Sequence, residues 1–276
     1  MRSLLYVPAD NARFLARAHE RGADCVILDL EDSVPEHAKT AARAGLSAAV
    51  ALVRRGRAQV AVRVNALTPL DVQAAVAAGV DLIVLPKCDS PAVIADIDSL
   101  LRAANAPSLR VLGIVESPAG VLAAAETARN GRLSGIMTGS EDLALALGAR
   151  PDPDVLLFPK LMVHYAAKAA GKQSFGLIRS IADYADLNAI AEAARTARRH
   201  GFDGATCVHP AAVPVLNRGF LPDADDVVWA KRMLATVGTT AVDGTMVDKP
   251  VIARARVILT QSEGNFTPVV SPVTGR

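Results

Sequence analysis

The stretch DCVILDLEDSVPEHAK, residues 24–39, decides how the chain folds. Cys25, Val26, Ile27 and Leu28 make a short continuous apolar run, the pattern of a strand buried on both faces. Asp29, Glu31 and Asp32 follow at once, although carboxylates are seldom buried without partners, so the strand end must stabilise negative charge. The segment EHAKTAARAGLSAAVALVRRG, residues 36–56, is then apolar at helical spacing and ends at a glycine, as helices often do. Strand, acidic turn and helix together make one βα unit.

The same alternation runs through most of the chain. Candidate strands are LLYVP (4–8), CVILDL (25–30), AVRVN (61–65), LIVLPK (82–87), RVLGIVE (110–116), GIMTG (135–139), SFGLI (174–178) and GATCVH (204–209). Ala-rich amphipathic segments such as NARFLARAHERG (11–22) and LNAIAEAARTARRHG (187–201) separate them. Eight βα units in about 210 residues predict an α/β fold of the TIM (β/α)8 barrel type. The competing doubly wound sheet lacks support, because no GxGxxG follows the first strand and no Walker motif is present.

Beyond the eighth strand come AAVPVLNRGFLP (211–222), DADDVVWAKRMLATV (223–237), the glycine- and threonine-rich interruption GTTAVDGT (238–245) and MVDKPVIARARVILTQ (246–261). These predict a barrel over residues 1–220 and a C-terminal helical extension over 221–276. The interruption suits a flexible joint, so the last helix is expected to serve as a lid or oligomerisation element. The tail SEGNFTPVVSPVTGR (262–276) has no periodicity and is expected to be loose.

Bulk composition narrows the function. With 276 residues and 51% apolar content the chain can bury a large core, which excludes general disorder. Thirty basic residues balance 28 acidic ones without a basic block, against a nucleic-acid or acidic-membrane partner and for a small-molecule substrate. The N-terminal apolar run is too short for a signal peptide and no 18-residue apolar stretch occurs, so a cytoplasmic location is expected. Cys25, Cys88 and Cys207 are widely spaced and odd in number, which suits core residues rather than disulfides or zinc ligands.

A TIM barrel carries its active site at the C-terminal strand ends. Those ends hold Asp29 to Asp32, Arg63, Asn65, Lys87, Glu116, Glu141, Asp142 and His209. Carboxylates without His or Cys clusters suit a hard cation such as magnesium, and Glu116 with Asp142 fit that role. The structural alternative makes each an acid at a helix N-terminus, near Pro118 and Leu143 respectively. Arg63 has a charged fork matching a carboxylate or an enolate oxygen, or else pairs with the barrel-end acids. Lys87 could form a Schiff base, although a cation and Arg63 already provide an electron sink. His209 has an acid–base and a structural reading; Phe158, Met162 and Tyr165 read as helix packing.

Seven ordered blocks carry a family resemblance: RSLLYVPADNARFLARAHERGADCVILDLEDSV, AVRVN, LIVLPKCDSP, GIVESPAGVLAAAE, TGSEDLALALG, GATCVHPAAVPVLN and DGTMVDKPVIARA. Together they resemble the citrate lyase β-subunit-like branch of the HpcH/HpaI aldolase superfamily, with the malyl-CoA and citramalyl-CoA lyase-like members in particular. The resemblance implies a magnesium-dependent TIM barrel, with manganese as a substitute, that works as a homotrimer or dimer of trimers. It implies cleavage or formation of a carbon–carbon bond between a 2-oxo acid and an acyl-CoA enolate.

By the same resemblance Glu116 and Asp142, 26 residues apart, are the metal ligands. Arg63 polarises the thioester carbonyl, and Arg2 and Lys87 are candidates for binding CoA or lining the site. Asp248 of MVDKP resembles a lid aspartate that reaches an adjacent subunit's site as acid or base. Asp32 is expected nearest a metal-bound water, with Asp29 or Glu31 paired to Arg63, Lys87 or Arg2. Pro118 and Ala119 stand where many relatives have an alanine–arginine pair, and Lys160 where several have arginine. Two other functions fit the same residues: a class II aldolase acting on CoA-free hydroxy-oxo acids, and a citrate lyase β or non-catalytic subunit that needs an acyl-carrier partner.

Overall fold

A computed structural model describes residues 1–236, 240–242 and 245–263. Eight strands form one parallel sheet: β1 (Ser3–Pro8), β2 (Cys25–Asp29), β3 (Gln59–Arg63), β4 (Leu82–Leu85), β5 (Arg110–Val115), β6 (Leu133–Thr138), β7 (Gln173–Phe175) and β8 (Ala205–Cys207). Their spatial order β7-β6-β5-β4-β3-β2-β1-β8 follows the chain, with β8 returning beside β1 through Ser3↔Ala205, Leu4↔Thr206 and Leu5↔Cys207. The ring closes at a parallel bridge between Phe175 and Gly204, where Gly176 N donates to Gly204 O at 2.9 Å. Gly204 is needed at this seam because a Cβ there would stand 2.8 Å from the Arg2 carbonyl oxygen. The fold is a TIM barrel, with helices between successive strands.

All eight predicted strands form, shorter than expected at several ends. β4 stops at Leu85, where Pro86 cannot donate to the ladder, and Lys87 takes a left-handed φ of 53° that no strand accommodates. The predicted segment 36–56 is broken at Gly45 into Lys39–Ala44 and Leu46–Val53.

Two apolar layers hold the barrel. Its interior is filled by Leu4, Cys25, Ile27, Ala61, Leu82, Val84, Leu112, Ile114, Met137 and Phe175. Between strands and helices lies a second cluster that includes Val115, Val121, Ile136, Leu143 and Val163. A fully buried Leu, Ile or Phe contributes roughly 1.5–3 kcal/mol of transfer free energy, so these layers dominate stability. All three cysteines are buried and free, in line with their reading as core residues. Phe158 and Tyr165 depart from expectation: they are 71% and 64% exposed, while Met162 packs against the second cluster.

The chain divides into two compact units, Met1–Arg218 and Gly219–Arg276. Within the second, the helix Ala224–Leu234 is opened by a reciprocal capping box between Asp223 and Asp226. It packs with the helix Lys249–Ser262 through Ala230, Met233, Val247, Ala255 and Ile258. Part of the expected flexible joint is an antiparallel pair, Thr240–Val242 with Thr245–Val247. Residues 237–239 and 243–244 of that stretch, and the tail 264–276, lie outside the described residues. Among the described residues no helix is long and apolar enough to cross a membrane.

Candidate active site

The C-terminal strand ends surround a cavity of about 380 Å³, within the range of small-molecule sites. Tyr6, Pro8, Asp29, Arg63, Ile114, Glu116, Met137 and Thr138 reach it from strands β1, β2, β3, β5 and β6 or their ends, and Asp142 from the helix Ser140–Leu147.

The acids of the DLED turn converge on one cation. Asp29, 1% exposed, takes the Arg63 fork in two hydrogen bonds, Nε to Oδ1 at 2.7 Å and Nη2 to Oδ2 at 2.6 Å. Asp29 also accepts from Glu31 N, Ser33 N and the Ser33 hydroxyl. Arg63 Nη1 donates to Asp32 at 3.0 Å and lies 2.6 Å from Glu31 Oε2, outside hydrogen-bonding alignment. The guanidinium carbon stands 5.0 Å from the centre of the Tyr6 ring. Burial opposes charge on Asp29, and the Arg63 fork outweighs it, holding the carboxyl below its usual range. Glu31 lacks such alignment, and burial pushes it up to about 7. The expected pairing of Asp29 and Glu31 thus falls on Arg63, and Asp32 shares the same partner.

Glu116 is held just beyond the end of β5. Its Oε2 accepts the Lys87 backbone N–H at 2.8 Å, and its own N–H donates to Asp89 at 3.0 Å. The glycine at 139 makes room for it, since a Cβ there would meet Glu116 Cγ at 2.5 Å and Oε1 at 2.8 Å. Burial pushes Glu116 up to about 7, and the charge of Asp142 adds to that shift against the Lys87 hydrogen bond. Neither acid serves as a helix cap. Ser117 caps the helix Pro118–Ala128 by accepting from Gly120 N, and the N-cap of Ser140–Leu147 is Gly139, without a side-chain bond. Asp142 lies in the first turn of Ser140–Leu147, so its charge also suits that helix N-terminus, as the structural alternative has it, whereas Glu116 precedes its helix. Two like-charged carboxylates facing one cavity suit a hard divalent cation. Among the described residues no group of three or more His, Cys, Asp or Glu could hold a metal, so their carboxylate donors would number at most two. Magnesium prefers one or two carboxylates, leaving its other positions to water and substrate, and the donor set fits.

Other expected residues lie elsewhere. Arg2 is at the N-terminal end of β1, the opposite end of the barrel, and holds Asp24 through Nε and Nη2 at 3.0 and 2.8 Å. That position corrects the expectation that it lines the site. The Lys87 side chain is exposed and does not line the cavity; the residue acts through its backbone. His209 accepts from Ala211 N at 3.2 Å and stacks on Tyr184 at 5.3 Å, which is its structural reading. Asp248 belongs to the second unit, where it caps the helix Lys249–Ser262 by accepting from Val251 N at 3.2 Å.

Lys160, which the sequence marked as standing where several relatives have arginine, lines the cavity. It is 3% exposed on the helix Pro153–Ala169, with Nζ donating to Leu177 O at 2.7 Å and Arg179 O at 2.8 Å. A lysine within an amphipathic helix ordinarily reads as surface; the carbonyls that hold it come from the turn after β7.

The family described as HpcH/HpaI aldolase/citrate lyase matches residues 2–210. The chain belongs to that family. Citrate lyase subunit beta of Haemophilus influenzae is 31% identical over 286 residues, spanning 96% of this chain and 98% of the relative. A (3S)-malyl-CoA thioesterase of Cereibacter sphaeroides is 34% identical over 277 residues, 95% and 94% of the two chains. Among solved structures, CitE of Mycobacterium tuberculosis in complex with magnesium, acetoacetate and coenzyme A superposes with a TM-score of 0.80 at 31% identity, covering 95% of this chain and 98% of that one.

Proposed function

We propose that this family member is a magnesium-dependent carbon–carbon lyase acting on a 3-hydroxyacyl-CoA such as citramalyl-CoA or malyl-CoA. The products are a 2-oxo acid, pyruvate or glyoxylate, and acetyl-CoA or another acyl-CoA. The observation that carries this reading is the Glu116–Asp142 pair, two carboxylates facing the same cavity as Arg63. Relatives solved with magnesium and coenzyme A support it.

A divalent cation held by Glu116 and Asp142 would supply Lewis-acid polarisation and orientation of the substrate's carboxylate and hydroxyl oxygens. The chain's own residues supply the rest. Arg63 uses three of its five N–H groups in hydrogen bonds to Asp29 and Asp32, which fixes the guanidinium plane. Its remaining N–H groups stabilise the enolate oxygen that develops on the thioester when the bond breaks. Asp32, 69% exposed at its side chain, is the weakest hold on Arg63 and gives way to the substrate oxygen. The hydroxyl proton leaves to solvent water as the carbon–carbon bond breaks. The protonated carboxyl of Asp248, presented by an adjacent copy of the chain in a homotrimer or dimer of trimers, gives its proton to the enolate carbon and regains one from solvent; condensation runs the same transfers in reverse.

The relatives named citrate lyase subunit beta favour a second reading, a subunit that works only on an acyl-carrier-bound substrate. Purified protein is incubated with a panel of hydroxyacyl-CoAs, with and without magnesium, while 2-oxo acid is followed by coupled NADH oxidation. Magnesium-dependent release supports the lyase. Release of CoA and hydroxy acid without 2-oxo acid indicates thioester hydrolysis instead, and silence with every free CoA ester favours the carrier-dependent subunit.

A further inference from the structure

The cavity's charge is lopsided. Asp29, Asp32, Glu116, Glu141 and Asp142 line it, against two cations, Arg63 and Lys160. Arg63 is ion-paired with Asp29, Glu31 and Asp32, and its remaining N–H groups face the enolate oxygen in the reading above. Lys160 has no carboxylate within ion-pairing distance among the described residues; its Nζ donates to the two carbonyls Leu177 O and Arg179 O. An ammonium carries three N–H donors, so among the described residues one is left without a protein acceptor, on a side chain that is 3% exposed and belongs to the cavity wall. A buried donor left unpaired is costly unless a ligand completes it.

We infer that Lys160 is a specificity-determining residue that binds the carboxylate of the 2-oxo acid portion of the substrate. This rests on the lyase reading above and identifies which part of the substrate lies toward β7. Burial lowers the Lys160 ammonium to about 7, with Glu141 opposing that shift; an adjacent carboxylate would restore the charged form. The two carbonyl bonds fix Nζ against the turn after β7, so the charge is presented without further ordering of a long side chain.

The test compares binding of pyruvate and pyruvamide by calorimetry to the full chain saturated with magnesium, for the wild type and Lys160→Met. Pyruvate should bind the variant about tenfold or more weakly, the loss of one charge-assisted hydrogen bond, while pyruvamide affinity stays within about twofold. Equal losses for both ligands would make Lys160 only a strut for the β7 turn and overturn the inference, as would unchanged pyruvate affinity. If Lys160→Met does not fold, Lys160→Gln, which keeps donors for both carbonyls without the charge, gives the same comparison. Failure of the wild type to bind pyruvate at all would count against the lyase reading itself.

Discussion

Arg63 and Asp29 meet as a buried two-bond fork at the ends of neighbouring strands, with N···O distances of 2.6 and 2.7 Å. Their register partners them directly, Asp29↔Arg63, so the sheet itself sets the pair. A buried ion pair loses most when one member is removed, because the other is left charged and dry. Arg63→Ala is therefore expected to destabilise the fold by about 3–5 kcal/mol. Arg63→Lys should recover part of this but not the two-bond geometry. Urea unfolding of the variants measures both effects, and a loss under about 1 kcal/mol for Arg63→Ala would mean that Asp29 is stabilised by Ser33 and the backbone alone.

Glu116 gives the molecule a pH signature. Its folded value of about 7 lies above the ordinary 4.5, so without metal this group's stabilising contribution is fully present below about 4.5 and is lost as pH rises through 7. Glu31, also raised to about 7, acts in the same direction. Magnesium needs the ionised form, so its affinity should fall about tenfold per pH unit below 7. Thermal midpoints in chelator between pH 5 and 8 should drop as pH rises, and added magnesium should reverse the drop at the alkaline end. Glu116→Gln should remove most of the magnesium effect; an unchanged response to metal in that variant would place the cation elsewhere.

Gly139 is a steric partner of the same carboxylate. In Gly139→Ala the new methyl would stand 2.5 Å from Glu116 Cγ, so the side chain must move. Magnesium or manganese affinity should fall about tenfold or more, as when a group positioning a ligand is altered. Titration with manganese followed by paramagnetic resonance reads this directly, and wild-type affinity would show that Glu116 has freedom the packing does not suggest.

Asp248 can be separated from its helix-capping role. Asparagine caps helices about as well as aspartate, so Asp248→Asn should leave folding and metal affinity intact. Turnover should drop by at least about a hundredfold if the carboxyl transfers the proton. Full turnover by purified Asp248→Asn protein would remove the residue from the mechanism.

The barrel was legible in the sequence because both faces of its strands are buried, which leaves continuous apolar runs such as Cys25–Leu28 that resist other readings. The polar strand ends were legible for the same reason: Asp29, Arg63 and Glu116 stand immediately after those runs. Side-chain direction was not. Phe158 and Tyr165 keep helical spacing, yet periodicity does not say which stripe faces inward. Lys160 is buried by carbonyls that follow it by 17 and 19 residues, a pairing that spacing alone does not announce. Arg2 precedes its strand, and the barrel rule already put such a residue at the far end; the family resemblance pointed the other way.

The most direct test of the lyase account is 2-oxo acid release by the isolated chain from citramalyl-CoA and malyl-CoA, compared with Asp142→Asn. The account predicts magnesium-dependent release by the wild type and none by the variant. No release from any hydroxyacyl-CoA, with magnesium demonstrably bound, would contradict it.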